Sequence, residues 1–430
     1  MRVLVVGKGG REHAIVWALS RSPKVSKLYC APGNAGIARL AELVPVQESD
    51  FAGLAEFAKR QSIDLVVIGP DDPLADGIVD VLEAEGLTVF GPRKNAAIIE
   101  GSKVFTKQLL KKYKIPTADY ESFSDYHQAL AYLRNQSAPI VIKADGLAAG
   151  KGAIVARTLE EAERALEEIM VKRVFGDSGN QVVIEQFLEG QEMSILSFVD
   201  GETVRPMVPA QDHKPVYDGD RGPNTGGMGT YTPLPHIPQS VIDEAIETII
   251  KPTAKAMVEE GRPFRGVLFA GLMITAEGPK TIEFNARFGD PETQVVLPRL
   301  KTDLLDIFLA VVNGRLDEVD IEWNDEAAVC VILASGGYPG SYDKGIPIDG
   351  LDEVRDSLVF HAGTAEQDGR IVTNGGRVLG VVGLGATIEE ARQRAYADAE
   401  RIRFAGKHMR TDIAMKALQA QQPTRINQVE

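Results

Sequence analysis

The chain predicts a multidomain protein of α/β and α+β class: an N-terminal parallel-sheet domain, a central α+β domain with a mobile lid, and a small C-terminal α+β domain. Three observations carry this. Strand and helix patterns alternate over the first hundred residues, as in a parallel sheet covered on both faces. Two apolar strands then flank a loop rich in glycine and lysine, and no helix opens there. After Asn313-Gly314 the chain restarts as short strands in a glycine-rich frame. With 430 residues, roughly two to four domains can each bury a core. The expected divisions are 1–100, 101–325, 326–420, and a frayed tail at 421–430.

In the first domain Val3 to Val6, Lys27 to Cys30, Leu65 to Ile68 and Thr88 to Phe90 read as strands. Glu12 to Ser20 and Phe51 to Lys59 read as helices. Gly7-Lys8-Gly9-Gly10 looks like a dinucleotide-binding turn, yet Ala31-Pro32-Gly33 after the second strand offers no acid for a ribose diol. A nicotinamide cofactor is therefore disfavoured. The helix N-terminus beyond Gly10 suits an anion, with a turn that only serves packing as the alternative. His13 is expected to be structural.

From Glu100 the pattern changes. Ser102 can cap a helix to about Tyr113, and Thr158-Leu159-Glu160-Glu161 forms a capping box for a helix to about Met170. Between them lies Pro139 to Val155, where glycines let backbone N–H groups approach phosphate. Three residues separate Gly146 from Gly150 instead of the four of a Walker loop, and Gly152 stands where a Ser or Thr should bind Mg²⁺. The segment is thus a strand–loop–strand flap able to fold over a triphosphate, with Lys143 and Lys151 supplying charge; an ordinary hairpin is the alternative. Val182 to Glu192 suits a cleft edge, where backbone groups bind adenine and Glu192 binds ribose hydroxyls.

Pro209 to Gln239 shows no period and is expected to be a long functional loop. Ser240 to Glu260 is helical, with Pro252 either kinking it or starting a second helix. Lys280 to Phe284 is a short strand that sends Glu283, Asn285 and Arg287 to one side and packs Phe284 and Phe288 on the other. A carboxylate and an amide oxygen two residues apart suit Mg²⁺, and the following guanidinium suits a transferring phosphoryl group. A solvated edge strand is the rival reading. Phe269 to Ile274 pairs with it and carries no carboxylate, so the metal is expected on Glu283 and Asn285 alone.

Ala327 to Ala334, Val359 to His361, Ile371 to Thr373 and Val378 to Val382 are the last strands. Thr387 caps a helix to about Ile402, and no catalytic constellation shows in this part. The tail from Gln419 has no core pattern and is expected to be frayed.

Composition narrows the class. The formal charge of −14 argues against a nucleic-acid or anionic-membrane surface, so anionic substrates must be drawn in by local Lys and Arg. Cys30 and Cys330, alone in apolar runs, give no disulfide framework and point to a reducing, cytoplasmic setting. No secretory leader or transmembrane-length window is visible. No Gly-x-Ser-x-Gly occurs, and neither His nor Cys shows zinc spacing.

The glycine flap, the 182–192 strand and the Glu-x-Asn strand, in this order, resemble the ATP-grasp ligases. In EGSKVFTK (100–107), Lys103 matches that superfamily's first nucleotide-contacting lysine, and Lys143 matches its second. GKGGREHA (7–14), APGNAG (31–36), IKADGLAAGKG (142–152), QDHK (211–214), GPNTGGMGTYTP (222–233), EFNARFGDPE (283–292), SGGYPG (335–340), FHAGT (360–364) and NGGRVLGV (374–381) are similar to the glycinamide ribonucleotide synthetases, from Arg2 to about Met415.

The resemblance implies a pre-ATP-grasp domain, an ATP-grasp domain with its lid at about 113–190, and a closing domain. It implies ligation of glycine to 5-phosphoribosylamine with ATP and Mg²⁺ or Mn²⁺, by a monomer, through glycyl phosphate. For ATP it points to Lys103, Lys143, Gly150, Lys151, Gly152, Glu185, Gln186, Phe187, Leu188 and Glu192. For the other substrates it points to Gly9, Gly10, Arg11, Asp212, Lys214, Gly227, Gly229, Arg287 and Glu292. Lys143, Arg287 and Asp290 would be catalytic, with Asp290 and Glu292 orienting the amine or Arg287, or merely capping the next helix.

Two departures stand out. Asp71 occupies the third position of Gly69-Pro70-Asp71, where the family has Glu, and Glu185-Gln186 stands where many relatives carry two acids. A different ATP-grasp ligase of purine or biotin metabolism would lack QDHK and NTGGMG. An oxidoreductase would need the missing acid after the second strand. A dead scaffold would have lost some of Lys143, Glu283, Asn285 and Arg287.

Overall fold

The computed structural model describes residues 1–421. Its first sheet is parallel, in the order Glu42–Leu43, Lys27–Pro32, Arg2–Gly7, Leu65–Ile68, Val89–Phe90. The first strand is buried on both faces because alternate residues feed different cores: Leu4 and Val6 join Leu54 and Ile78, while Val3 and Val5 join Ile15, Leu19 and Phe308. The strand order reverses beside Arg2–Gly7, which opens a crevice at the carboxyl ends of the strands. Arg11 and Asp71 lie just past those ends. The first helix, Gly10–Ser20, starts before Glu12 because that side chain turns back to accept from Lys8 N (3.3 Å) and Gly9 N (3.0 Å).

The lid has its own four-stranded sheet, ordered Tyr120–Phe123, Val182–Gln186, Ile140–Ala144, Ala153–Ala156. Tyr126–Leu133 and Leu159–Met170 back it, and Leu133, Ile142, Leu166, Ile169 and Ile184 form a core separate from the others. Each such buried aliphatic side chain contributes roughly 1.5–3 kcal/mol, so the subdomain holds together as a unit. The capping box is shifted: Thr158 Oγ1 accepts from Glu161 N (3.2 Å), but the Glu161 carboxylate takes Arg157 N (2.7 Å).

The central sheet is antiparallel, ordered Thr203–Pro206, Gln191–Asp200, Arg265–Thr275, Gly278–Asn285. Pro252 stands in the first turn of a second α-helical stretch, Lys251–Glu259, where a missing N–H is tolerated, and a π-helical stretch, Ile246–Ile250, links it to Gln239–Ala245.

The stretch expected to be a long aperiodic loop carries four short strands. Gln211–Asp212 and Gly229–Thr232 join Ala327–Ala334, Arg377–Gly385 and Ser357–His361 in one five-stranded sheet, and Pro215–Tyr217 pairs with Arg221–Asn224 as a hairpin. Strands of two to four residues are too short to show a period. Gly229 also hides its strand, since a Cβ there would come within 2.7 Å of Cys330 O.

The first and last parts of the chain meet at His13 and His361. His361 N donates to His13 Nδ1 (2.7 Å), and Asn34 Nδ2 donates to both Lys8 O and His361 O (2.8 Å each). Burial pushes His13 down to about 3, with His361 and Arg39 adding to it, and pushes His361 to about 4. His13 is a neutral interface residue. Both cysteines are free and buried. Gln419 is not frayed: Met415–Gln421 is helical, and 422–430 of the expected tail lie outside the described residues. No helix among the described residues is long and apolar enough to cross a membrane.

Candidate active site

A cleft of about 420 Å³ lies where the lid, the central sheet, the first domain and the C-terminal sheet converge. Its floor is the strand Gly278–Asn285, paired to its neighbour as Gly271 to Glu283 and Phe269 to Asn285. Glu283 and Asn285 both line the cleft, and Phe284 between them is buried in the core. Among the described residues no group of three or more His, Cys, Asp or Glu is assembled for a metal. Glu283 and Asn285 place one carboxylate and one amide on the cleft floor, a donor pair whose chemistry suits a hard cation that completes its shell with phosphate and water.

Arg287 also lines the cleft, and Glu100 holds it. Arg287 Nη2 lies 2.9 Å from Glu100 Oε1, and Glu100 Oε2 accepts from Ala286 N (2.8 Å). Burial raises the Glu100 carboxyl, against the pull of Arg287. The orienting role expected of Asp290 or Glu292 toward Arg287 therefore belongs to Glu100. Asp71 lines the cleft nearby; burial works against its ionisation, but Arg287 and Arg11 hold it below the usual carboxylate range.

The flap is moored by a residue that sequence reasoning passed over. Asp145 Oδ1 accepts from Ser102 Oγ (3.0 Å) and Val104 N (2.8 Å), and Asp145 O accepts from Lys103 N (3.0 Å). The loop thereby sits on the N-terminus of the helix Lys103–Lys112, and Lys103 Nζ donates to Gly146 O (3.2 Å). Lys103, Gly150 and Gly152 line the cleft; Lys151 is exposed and does not. The loop turns at Ala149 and Gly150, whose φ values are +50° and +74°. Gly146 serves packing instead, because a Cβ there would lie 2.6 Å from Ser178 Oγ.

Lys143 lines the cleft and donates to Ile282 O (3.2 Å). It is ion-paired to Glu185, whose other oxygen lies 2.5 Å from Lys107 Nζ. Burial raises Glu185, but the two lysines outweigh it and hold the carboxyl low. The Glu185 carboxylate is thus engaged with lysines and is not free for a nucleotide. Gln186, Phe187 and Leu188 do not line the cleft either; the Arg157 guanidinium stands 5.1 Å from the Phe187 ring centroid. Glu192 does line it, and burial raises its carboxyl.

On the far side Lys214 Nζ pairs with Asp212 Oδ2 at 2.7 Å, and Asp212 Oδ1 accepts from His213 N (2.7 Å). Lys214 lines the cleft with Asn224, Thr225 and Gly226; Asp212 stands behind it. Gly227 and Gly229 do not line it. Gly227 permits close approach, since a Cβ there would lie 2.6 Å from Pro291 Cδ and 2.7 Å from the Asp212 carboxylate. Glu292 is 2% exposed and lines the cleft. Burial pushes it up to about 7, with Lys214 opposing and Asp212 adding.

Asp290 accepts from Arg11 N (3.2 Å) and Gln294 Nε2 (2.8 Å) and pairs with Arg377 at 3.5 Å. Burial raises it, but Arg377 and Arg11 win and keep it ionised. At the helix N-terminus expected to receive a substrate anion, Asp290 takes Arg11 N and Glu12 takes Gly9 N, two of the N–H groups an anion would use. Gly9 and Gly10 lie outside the cleft lining, and only the Arg11 side chain reaches it. Arg377 is the main residue that sequence reasoning missed. It donates to Asp290 O (3.0 Å) and lines the cleft from the C-terminal part, where no catalytic constellation was expected. The available signal was the NGGRVLGV segment, which carries the arginine.

Comparison with known proteins accords with this geometry. Models of phosphoribosylglycinamide synthetase match in three consecutive parts: the N domain over residues 1–100, the ATP-grasp (A) domain over 101–293 and the C domain over 328–416. A phosphoribosylamine–glycine ligase of Caldanaerobacter subterraneus is 54% identical over 414 residues, which cover 96% of this chain and 99% of the relative. One from Salmonella typhimurium is 52% identical, over 98% of this chain and 100% of its own. The crystal structure of the phosphoribosylamine–glycine ligase of Thermotoga maritima matches with TM-score 0.85 at 37% identity, covering 96% of this chain and 100% of that one. A biotin carboxylase domain of Hydrogenobacter thermophilus shares the fold alone, with TM-score 0.73 at 16% identity. The chain belongs to the phosphoribosylglycinamide synthetase family.

Proposed function

We propose that the cleft joins glycine to 5-phosphoribosylamine at the expense of ATP, giving glycinamide ribonucleotide, ADP and phosphate. One observation carries the assignment. A single cleft holds the flap with Lys103 and Lys143, the Glu283–Asn285 pair, and a far wall of Lys214, Glu292, Arg11 and Arg377. The flap with the Glu283–Asn285 pair is then the nucleotide end, and the wall of Lys214, Glu292, Arg11 and Arg377 the amine-and-phosphate end.

In the first step a glycine carboxylate oxygen attacks the γ-phosphorus; the bond to the ADP oxygen breaks and glycyl phosphate forms. Lys103 and Lys143 hold phosphate oxygens, and Arg287, fixed by Glu100, faces the transferring group. Positioning and charge neutralisation do most of the work in such a transfer. Glu283 and Asn285 are the residues that would hold Mg²⁺ or Mn²⁺, which supplies further neutralisation of phosphate charge when bound. The flap over Gly150 and Gly152 excludes water that would hydrolyse the acyl phosphate.

In the second step the phosphoribosylamine nitrogen attacks the acyl carbon, phosphate leaves, and the nitrogen gives up a proton. Lys214, backed by Asp212, and Glu292 form the charged pocket for glycine, and Arg11 and Arg377 supply the positive charge for the ribose phosphate. The reading as a cytoplasmic monomer rests on the family resemblance, and gel filtration tests its second half.

The test is phosphate release from MgATP with glycine and freshly generated phosphoribosylamine, omitting each in turn. Release that needs all three, with glycinamide ribonucleotide formed, is the expected result. Release indifferent to phosphoribosylamine would move the substrate assignment elsewhere.

A further inference from the structure

Lys107 has no part in the scheme above, yet it is among the most buried charged groups of the protein. Lys107, Lys143 and Glu185 are each 5% exposed or less. Their contacts form a closed chain: Thr117 Oγ1 donates to Thr281 O (2.8 Å), Lys107 Nζ donates to Thr117 Oγ1 (2.7 Å) and meets Glu185 Oε2 (2.5 Å), Glu185 Oε1 meets Lys143, and Lys143 Nζ donates to Ile282 O (3.2 Å). The chain starts and ends on adjacent residues of the strand that carries Glu283. It also crosses from the helix Lys103–Lys112 into the lid strands Ile140–Ala144 and Val182–Gln186.

One lysine and one carboxylate would make a neutral pair, the cheaper arrangement in a dry site. A second buried ammonium adds a desolvation cost, and burial does push Lys107 below the ordinary lysine range despite Glu185. What it adds is charge. With both lysines protonated and Glu185 ionised the cluster sums to +1; without Lys107 it sums to zero, and the charge of Lys143 is cancelled by the carboxylate it touches.

We propose that Lys107 is a positioning residue that offsets Glu185, so that Lys143 meets the nucleotide phosphates as an uncompensated cation. The inference rests on the reading of Lys143 as a phosphate contact. It gives Glu185 and Lys107 a joint function through Lys143, distinct from direct nucleotide binding.

The experiment uses the full chain and measures MgADP affinity by calorimetry beside the KM for ATP. Lys107→Met, and Lys107→Gln as a second neutral variant should the first fold poorly, are expected to weaken MgADP by about tenfold. Lys107→Arg should retain affinity, because the charge remains. Thr117→Val removes a hydrogen bond and no charge, so affinity should stay within about twofold. The deciding variant is the double Lys107→Met with Glu185→Gln. It returns the cluster to +1 and should recover most of the lost affinity, whereas a purely structural network would be damaged further. A double variant no tighter than Lys107→Met overturns the proposal, as does an unchanged affinity in both neutral variants. Unchanged MgADP affinity in Lys143→Met overturns the reading of the nucleotide site itself, and the proposal with it.

Discussion

The two ends of the cleft are built in opposite ways. The end proposed for the nucleotide comes from compact segments: Lys103 and Asp145 dock the flap on one helix, and Glu283 and Asn285 sit two residues apart on one strand. The far end is assembled from distant pieces, with Arg11, Lys214, Asp290, Glu292 and Arg377 brought together by three different parts of the fold. A site made of local motifs can be recognised from spacing alone. An assembled site can be recognised only where a segment happens to be familiar, and its roles emerge only when the partners are in place.

The comparison breaks most sharply at Glu283. Glu283→Ala should lower turnover by at least ~10³-fold through loss of a metal ligand, with the thermal midpoint almost unmoved because the side chain faces the cleft. Initial rates and calorimetry read this out; a large stability loss with activity retained would refute the role.

Next come the two ends set against each other. Arg377→Ala should raise the KM for phosphoribosylamine by roughly 10²-fold, the scale of one or two lost charge-assisted bonds, and leave the KM for ATP within a few-fold. Lys103→Met should do the reverse. Equal effects of both variants on both substrates would mean that the ends do not act separately.

Asp145→Ala probes the mooring of the flap. It removes an acceptor for Val104 N at a helix N-terminus, so a stability loss of about 1–2 kcal/mol is expected, together with weaker nucleotide binding. Chemical denaturation with and without MgADP separates the two.

The smallest effect is in pH. Glu292 has its folded-state value raised from 4.5 to about 7, so the native state keeps a proton that the unfolded chain releases over that window. Its contribution to the stability of the empty protein is present below about pH 4.5 and lost as pH rises through 7. Glu292→Gln should flatten this slope in thermal melts. His13 and His361, lowered to about 3 and about 4, act in the other direction. Their stabilisation is present above about pH 6.5 and fades as pH falls, because the unfolded chain then binds protons that the buried rings refuse. A melt profile without a fall on the acid side would remove the neutral-histidine interface.

Much of the architecture was legible. The parallel sheet of the first domain, the flap hairpin and the Glu-x-Asn strand all follow from apolar runs and glycine placement. The short strands over 211–232 were not, because two to four residues carry no measurable alternation and a glycine at a close approach looks like a turn. Gly9 and Gly10 show the same ambiguity in the site. Their sequence suits an anion, yet Glu12, three residues beyond Gly9, takes Gly9 N, and Asp290, far along the chain, takes the neighbouring Arg11 N.

By itself the sequence determined what depends on near neighbours along the chain: the capped helices, the flap, the Glu-x-Asn strand and the family to which they belong. Tertiary structure alone decided how the charges were shared out. Arg287 went to Glu100, Asp290 to Arg377 and Arg11, and Glu185 to two lysines at once. The reason is physical. Coulomb energy and desolvation depend on distance and burial, and both are set by which segments the fold brings face to face.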